Sequence, residues 1–114
     1  MNEYVGAMRH PSLDAILKQV KSYLSLLYRE RLRAVVLYGS QARKDSHDAS
    51  DIDVLVVLAG AINPYKEISR TSHYVAQVCL EHSVVISCHF ISADKFMFDN
   101  NPFLQNIRRE GIAL

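Results

Sequence analysis

Cysteine is scarce in this sequence: Cys79 and Cys88 are the only two, with neither C-x-x-C spacing nor a clear metal pattern. A disulfide framework is therefore not expected, and both thiols are read as buried and reduced. Long apolar runs are absent as well. None approaches the roughly 20 residues that a membrane-crossing helix needs. The N-terminus lacks a basic, then hydrophobic, then small-residue pattern, so secretion is not expected and the chain reads as soluble and cytoplasmic. An excess of one charge is missing too. A formal net charge of +1 gives no general reason to expect long nucleic acid or an anionic membrane as partner. Internal repeats, long linkers and low-complexity tracts are also lacking.

What is present is an ordinary globular composition, 49% hydrophobic and 22% charged, over 114 residues. That length implies one domain spanning 1–114. A domain this small buries only about two-thirds of its unfolded surface, so its own stability is modest and a partner can add to it.

Residues 1–11 form a lead-in ending at His10-Pro11. Ser12 is placed to N-cap a helix, on which Leu13, Ile16, Leu17, Val20, Leu24 and Leu27 recur at three- and four-residue steps to about Arg31. Ala34–Tyr38 is a short apolar run ended by Gly39 and reads as a central strand. Gln41–Ser50 is polar and supplies a short helix and a loop. Asp51–Leu58 reads as a second buried strand with acids at its start. A turn over Ala59–Pro64 leads to a helix over Tyr65–His82, with Ile68, Val75, Val78 and Cys79 on its spacing. Ser83–Ser92 is a third strand, Ala93–Phe98 and Pro102–Glu110 are short helices, and Gly111 is a stop. This order implies an α/β (α+β) layer structure, a small sheet flanked by helices.

The chemistry concentrates between Tyr38 and Leu58. Gly39 after an apolar strand permits a sharp turn and the close approach of a phosphate. Ser40 follows at the start of a short helix, where its hydroxyl and nearby N–H groups can bind phosphate oxygens. Asp51 and Asp53 are two apart on a strand, so their side chains share one face. Two carboxylates held there repel and lose hydration unless a cation neutralises them. Such a pair suits Mg²⁺, which retains waters and bridges to substrate phosphates. The competing reading is a D-x-D that merely caps a strand or pairs with Arg43. The Gly-Ser turn on the preceding strand tells against it.

Gly39-Ser40, ten intervening residues, then Asp51-Ile52-Asp53 match the G-S-x10-D-x-D signature of the DNA polymerase β-like nucleotidyltransferase superfamily. The surrounding Ala42, Arg43, Ser50 and Ile52 most resemble its minimal nucleotidyltransferase branch, as does the tail from Pro102-Phe103-Leu104 through Arg108-Arg109-Glu110-Gly111. The resemblance implies a nucleotidyltransferase fold in which Gly39 and Ser40 hold the triphosphate of ATP or another NTP. It implies Asp51 and Asp53 as catalytic ligands of Mg²⁺, and Arg43 either on phosphate or in a surface ion pair. Lys44 stands where many relatives have glycine. Active members usually carry a further acid on the third strand, and aligning V-V-I-S with that strand puts Ser83 in its place. A serine there is neither an anionic ligand nor a good base. Glu81 is a substitute if the register slips. His82 and His89 are candidate bases, with His89 on the face of Ser83, Val85 and Ser87. Asp94 and Asp99, beyond the strand, are read as helix caps or solvated acids.

The family resemblance also implies a biological setting, because small members pair with HEPN-type ribonuclease toxins and silence them by transferring AMP. The leading expectation is an antitoxin that uses ATP and Mg²⁺ to adenylylate a HEPN partner. The alternative is a catalytically impaired nucleotide-binding domain that neutralises that partner by binding alone. Retention of both Asp51 and Asp53 tells against full decay, since an unneeded acid pair on a buried strand is costly. Transfer to a small molecule such as an aminoglycoside leaves no room here for an acceptor domain. Phe96, Phe98, Phe103 and Leu104 can serve a homo-oligomer or complete the core, and core packing is the expectation.

Overall fold

Apolar residues at helical spacing pull the first described element onto the rest of the chain. In a computed structural model, which describes residues 12–43 and 51–114, helix α1 spans Leu13–Tyr28 and buries Leu13, Ile16, Leu17, Val20, Leu24 and Tyr28. Leu27, expected on this face, is instead exposed. The buried stripe ends on Tyr28, one position further round the helix, and a 3₁₀ turn over Arg29–Arg31 leads away. Ser12 precedes α1 without making a side-chain cap hydrogen bond. The expectations placed on the 1–11 lead-in, on Lys44 and on Ser50 fall outside the described residues.

Strand β1 (Leu32–Tyr38) passes through the Gly39 turn into α2 (Ser40–Arg43), and β2 covers Ile52–Leu58. Helix α3 (Pro64–His82) is followed by β3 (Ile86–Ser92), α4 (Ala93–Phe98), α5 (Pro102–Glu110) and a short β4 (Ile112–Ala113). Two helices start on clear signals. Asn63 and Asn101 each accept a backbone N–H two residues on, and each is followed by a proline, whose missing N–H is no loss in the first turn.

The four strands form one mixed sheet in the order β3-β2-β1-β4. β1 is antiparallel to both β2 and β4, while β2 and β3 run parallel, joined through α3. Alternation along the strands divides the core between two faces. Val35, Leu37, Ile52, Val54, Val56, Ile86 and Phe90 pack under α1 and α3. Val36, Leu55 and Val57 face the other way, against Leu104 and Ile107 of α5. β4 was not foreseen. It is two residues long and holds to β1 through Val36↔Ala113 and Leu37↔Ile112, too short for periodicity to register.

Helix α3 buries Glu67, Thr71 and Val78, while Ile68 is exposed and Val75 and Cys79 are half-buried. Glu67 is tolerated because Tyr28 donates its O–H to the carboxylate at 2.5 Å and Arg70 adds an N–H at 3.1 Å. Burial and the adjacent Glu67 push the Tyr28 phenol well above its ordinary pKa, keeping it a donor. Tyr28→Phe removes a buried partner of an acid, so a stability loss of about 1–3 kcal/mol is expected, read by thermal unfolding at neutral pH. An unchanged melting temperature would show that Arg70 alone satisfies Glu67.

The cysteines are free and half-buried rather than fully buried. Burial and the neighbouring Cys79 push the Cys88 thiol up to about 12. No described helix is long and apolar enough to cross a membrane.

Candidate active site

Strand pairing assembles the site at one end of the sheet. Tyr38, the last residue of β1, lies opposite Asp53, and Asp53 lies beside Ser87 on β3. Paired residues share a face, so Tyr38, Asp53, Ser87 and then His89 stand on the α5 side of the sheet. Asp51 precedes β2, exposed, two residues from half-buried Asp53.

Gly39 has two reasons to be glycine. Its φ is +75°, in the left-handed region. Moreover, a Cβ at that position would collide with Oδ2 of Asp53 and lie 3.3 Å from its Cγ. The Gly39 turn backbone and the Asp53 carboxylate are thus in contact, and the signature's two halves meet in space. The carbonyl of Gly39 accepts the N–H groups of Ala42 and Arg43 at 3.1 and 3.2 Å, which closes the turn with Ser40 at its rim. With only four described residues, α2 supports no argument from a helix dipole. The phosphate-binding expectation therefore rests on the Gly39–Ser40 turn itself.

Burial first, and the negative charge of Asp51 second, hold the Asp53 carboxyl above its ordinary pKa, while His89 and Arg43 act in the opposite sense. The pair is thus electrostatically uncomfortable as it stands. Two carboxylates fit a Mg²⁺ site completed by waters and substrate phosphate oxygens, the usual manner in which that ion binds at phosphoryl-transfer sites. Among the described residues, no group of three or more His, Cys, Asp or Glu side chains converges as a metal site made by protein alone.

The third-strand acid is resolved differently from the sequence alignment. β3 begins at Ile86, so Ser83 is not on it. Ser83 is the C-cap of α3, in left-handed conformation (φ 54°, ψ 48°), with its N–H on the Cys79 carbonyl. The place beside Asp53 belongs to Ser87, which is again a serine. Glu81 and His82 are drawn away by α1, accepting from Gln19 Nε2 at 3.0 Å and pairing with Gln19 Oε1 at 3.1 Å. His89 does reach the site face, with its Nδ1 3.0 Å from the Tyr38 hydroxyl. Burial, then Asp53, then Cys88 push the Tyr38 phenol up to about 12, so it keeps its proton at neutral pH.

Arg43 makes an ion pair with Glu110 of α5 at 4.0 Å, giving the surface-pair reading a partner. It remains near enough to Asp53 to lower that carboxyl's pKa. Asp99 accepts the Asn101 N–H at 2.9 Å, a local turn role, and Asp94 is in the first turn of α4. Sequence reasoning gave no chemical role to Tyr38, to Ser87 or to the exposed side of α5, whose Phe103 it read as a core or oligomer contact. Only the last carried a signal, in Phe103, Asn106 and Glu110 at helical spacing.

A mixed sheet with a glycine-serine turn pressed against Asp53, and Asp51 two residues before it, defines a nucleotidyltransferase. The chain belongs to the Polymerase beta, Nucleotidyltransferase family, whose model matches residues 18–113. It is similar to two proteins of Methanocaldococcus jannaschii. "Putative protein adenylyltransferase MJ0604" is 32% identical over 105 residues, covering 85% of this chain and 95% of that protein. "Putative protein adenylyltransferase MJ0141" is 32% identical over 72 residues, covering 63% of this chain and 72% of that protein. Among solved structures, a chain of a toxin-antitoxin with AMP-PNP superposes with a TM-score of 0.56 at 18% identity, covering 86% of this chain and 70% of that one. A chain of a mutant of the toxin-antitoxin MntA-HpeT gives 0.53 at 17% identity, covering 85% and 70%. At such identities the likeness is one of fold.

Proposed function

We propose that this protein transfers AMP from ATP to a HEPN-type toxin and thereby acts as its antitoxin. The observation that carries the reading is the contact of the Gly39 turn with the Asp53 carboxylate, with Asp51 two residues away. The names of the two relatives favour a protein acceptor and an adenylyl group. The toxin-antitoxin structures of like fold favour the partner class. Gly39 and Ser40 receive the triphosphate. Asp51 and Asp53 hold Mg²⁺, which would supply neutralisation of the charge developing on the transferring phosphate. The acceptor oxygen bonds to the α-phosphorus, the bond to the β-phosphate side breaks, and pyrophosphate leaves. When Nδ1–H of His89 donates to the Tyr38 oxygen, Nε2 is left as a base for the acceptor proton.

A second reading, neutralisation by binding alone, draws on Ser87 at the place beside Asp53. Intact mass separates the two. The HEPN-type protein, incubated with this chain, ATP and Mg²⁺, is expected to gain one or more AMP units, and Asp51→Asn is expected to prevent it. Tight complex formation with ATP binding but no mass gain would replace transfer by binding.

A further inference from the structure

Helix α5 packs on the sheet through one side and leaves the other exposed. Leu104 and Ile107 are buried against Val36 and Leu55 and fix the helix on the sheet. Phe103, Asn106 and Glu110, at i, i+3 and i+7, lie along its other side. All three line a cavity of about 260 Å³ whose opposite wall is Gly39 and Arg43. The cavity therefore begins where the triphosphate turn ends.

Its chemistry is mixed in a particular way. Phe103 stays 49% exposed although Tyr38 packs on it edge-to-face, ring centroids 5.7 Å apart at 88°. A half-open aromatic ring beside a charged site is a stacking surface. Asn106 has its Oδ1 engaged by Arg109 at 2.7 Å, so its amide hydrogens are the donors it can offer. Glu110 lies 4.0 Å from Arg43 and 3.6 Å from Arg109. Two guanidinium groups offset its charge, so a carboxylate here can accept hydroxyl hydrogens without strongly repelling a nearby phosphate.

We propose that this wall of α5 is the nucleoside subsite, with Phe103 stacking on the base and Asn106 and Glu110 meeting its polar edge and the ribose hydroxyls. The inference rests on the nucleotidyltransferase site described above. A nucleoside is tethered to its α-phosphate, so it must lie within a few bonds of the Gly39 turn, as this cavity does. The volume lies just under the roughly 300 Å³ at which ligand pockets usually begin, which suits a base and sugar better than a whole protein loop. A second cavity of about 710 Å³ shares Phe103 but runs past His89 to Lys95 and Asn101, away from Gly39.

The test uses two Mg²⁺-bound probes with a three-phosphate chain, AMP-PNP with a nucleoside and inorganic tripolyphosphate without one, titrated calorimetrically into the whole chain. Phe103→Ala is expected to weaken AMP-PNP about tenfold, as loss of one base–aromatic stack does, while tripolyphosphate changes by less than about twofold. Phe103→Trp is expected to retain AMP-PNP affinity. Asn106→Ala, at an exposed position that leaves the core intact, is expected to lower AMP-PNP affinity alone. Equal AMP-PNP binding by wild type and Phe103→Ala would overturn the subsite, and so would equal loss of both probes. If the wild type binds tripolyphosphate as tightly as AMP-PNP, the subsite fails while the phosphate site stands. If it binds neither, the nucleotide reading falls and the subsite with it.

Discussion

Asp53→Asn is expected to lower AMP transfer by at least about a hundredfold, since a lost metal carboxylate removes several kcal/mol of transition-state stabilisation. It is also expected to raise the melting temperature of the metal-free protein at neutral pH. Burial and Asp51 hold the Asp53 carboxyl above its ordinary value. Between the ordinary carboxylate range and that raised value, the folded protein binds more protons than the unfolded chain. The contribution of Asp53 to stability is therefore fully present below the ordinary range and is lost as pH rises through the folded-state value. Above that value the ionised Asp53 carboxylate is a cost to the fold. Asparagine removes the charge at nearly constant shape, so the variant outlasts the wild type on heating, and the gap closes as the pH is lowered below the carboxylate range. Mg²⁺ is expected to stabilise the wild type and not the variant. Thermal unfolding across pH, with and without Mg²⁺, reads all of this. A variant that melts lower than metal-free wild type at pH 7 would mean that Asp53 holds the fold together instead, and undiminished transfer would remove the site assignment.

Gly39→Ala is the second large effect. The added Cβ meets Oδ2 of Asp53, and φ of +75° is strained for any L side chain. The left-handed backbone costs about 1–2 kcal/mol and the overpacking about 1–3 kcal/mol more. For a domain near this size the melting temperature drops by on the order of 10 °C or more. Since the clash is with the carboxylate itself, whatever protein remains folded has Asp53 displaced. Mg²⁺-dependent nucleotide binding should then be lost well below the new melting temperature. Calorimetry on the folded variant at low temperature decides the matter. Nucleotide binding that survives there would show that the turn and the acid pair act separately.

Much of the fold was legible because burial leaves a period in the sequence. α1 and the sheet strands have one consistent environment along their length, and their apolar spacing says so. Leu27 and Tyr28 show the limit, because the buried stripe ends on an aromatic with a polar tip that periodicity alone does not favour over leucine. The terminal aromatics show another. Leu104 is buried and Phe96 half-buried as core packing predicts, but Phe98 is 75% exposed and Phe103 about half exposed. A six-residue α4 is too short for its inner and outer faces to be told apart by spacing.

The acid pair, the glycine-serine turn and their ten-residue separation are written in local residue types, so the sequence by itself determined the family and carried the expectation that Gly39 and Ser40 meet phosphate and Asp51 and Asp53 meet Mg²⁺. The neighbours of those residues were decided only by the tertiary structure. A strand boundary moved from Ser83 to Ile86 changes which serine stands beside Asp53, because the register between parallel strands is set by a helix packed across them. The same packing assigns Glu81 and His82 to Gln19 on one side of the sheet and His89 to Tyr38 on the other. Helix α5, more than sixty residues beyond Gly39 in the chain, supplies the far wall of the cavity there. No local pattern encodes such a meeting. It arises because Leu104 and Ile107 have their apolar surface to bury, and the sheet beside Val36 and Leu55 is where that surface fits.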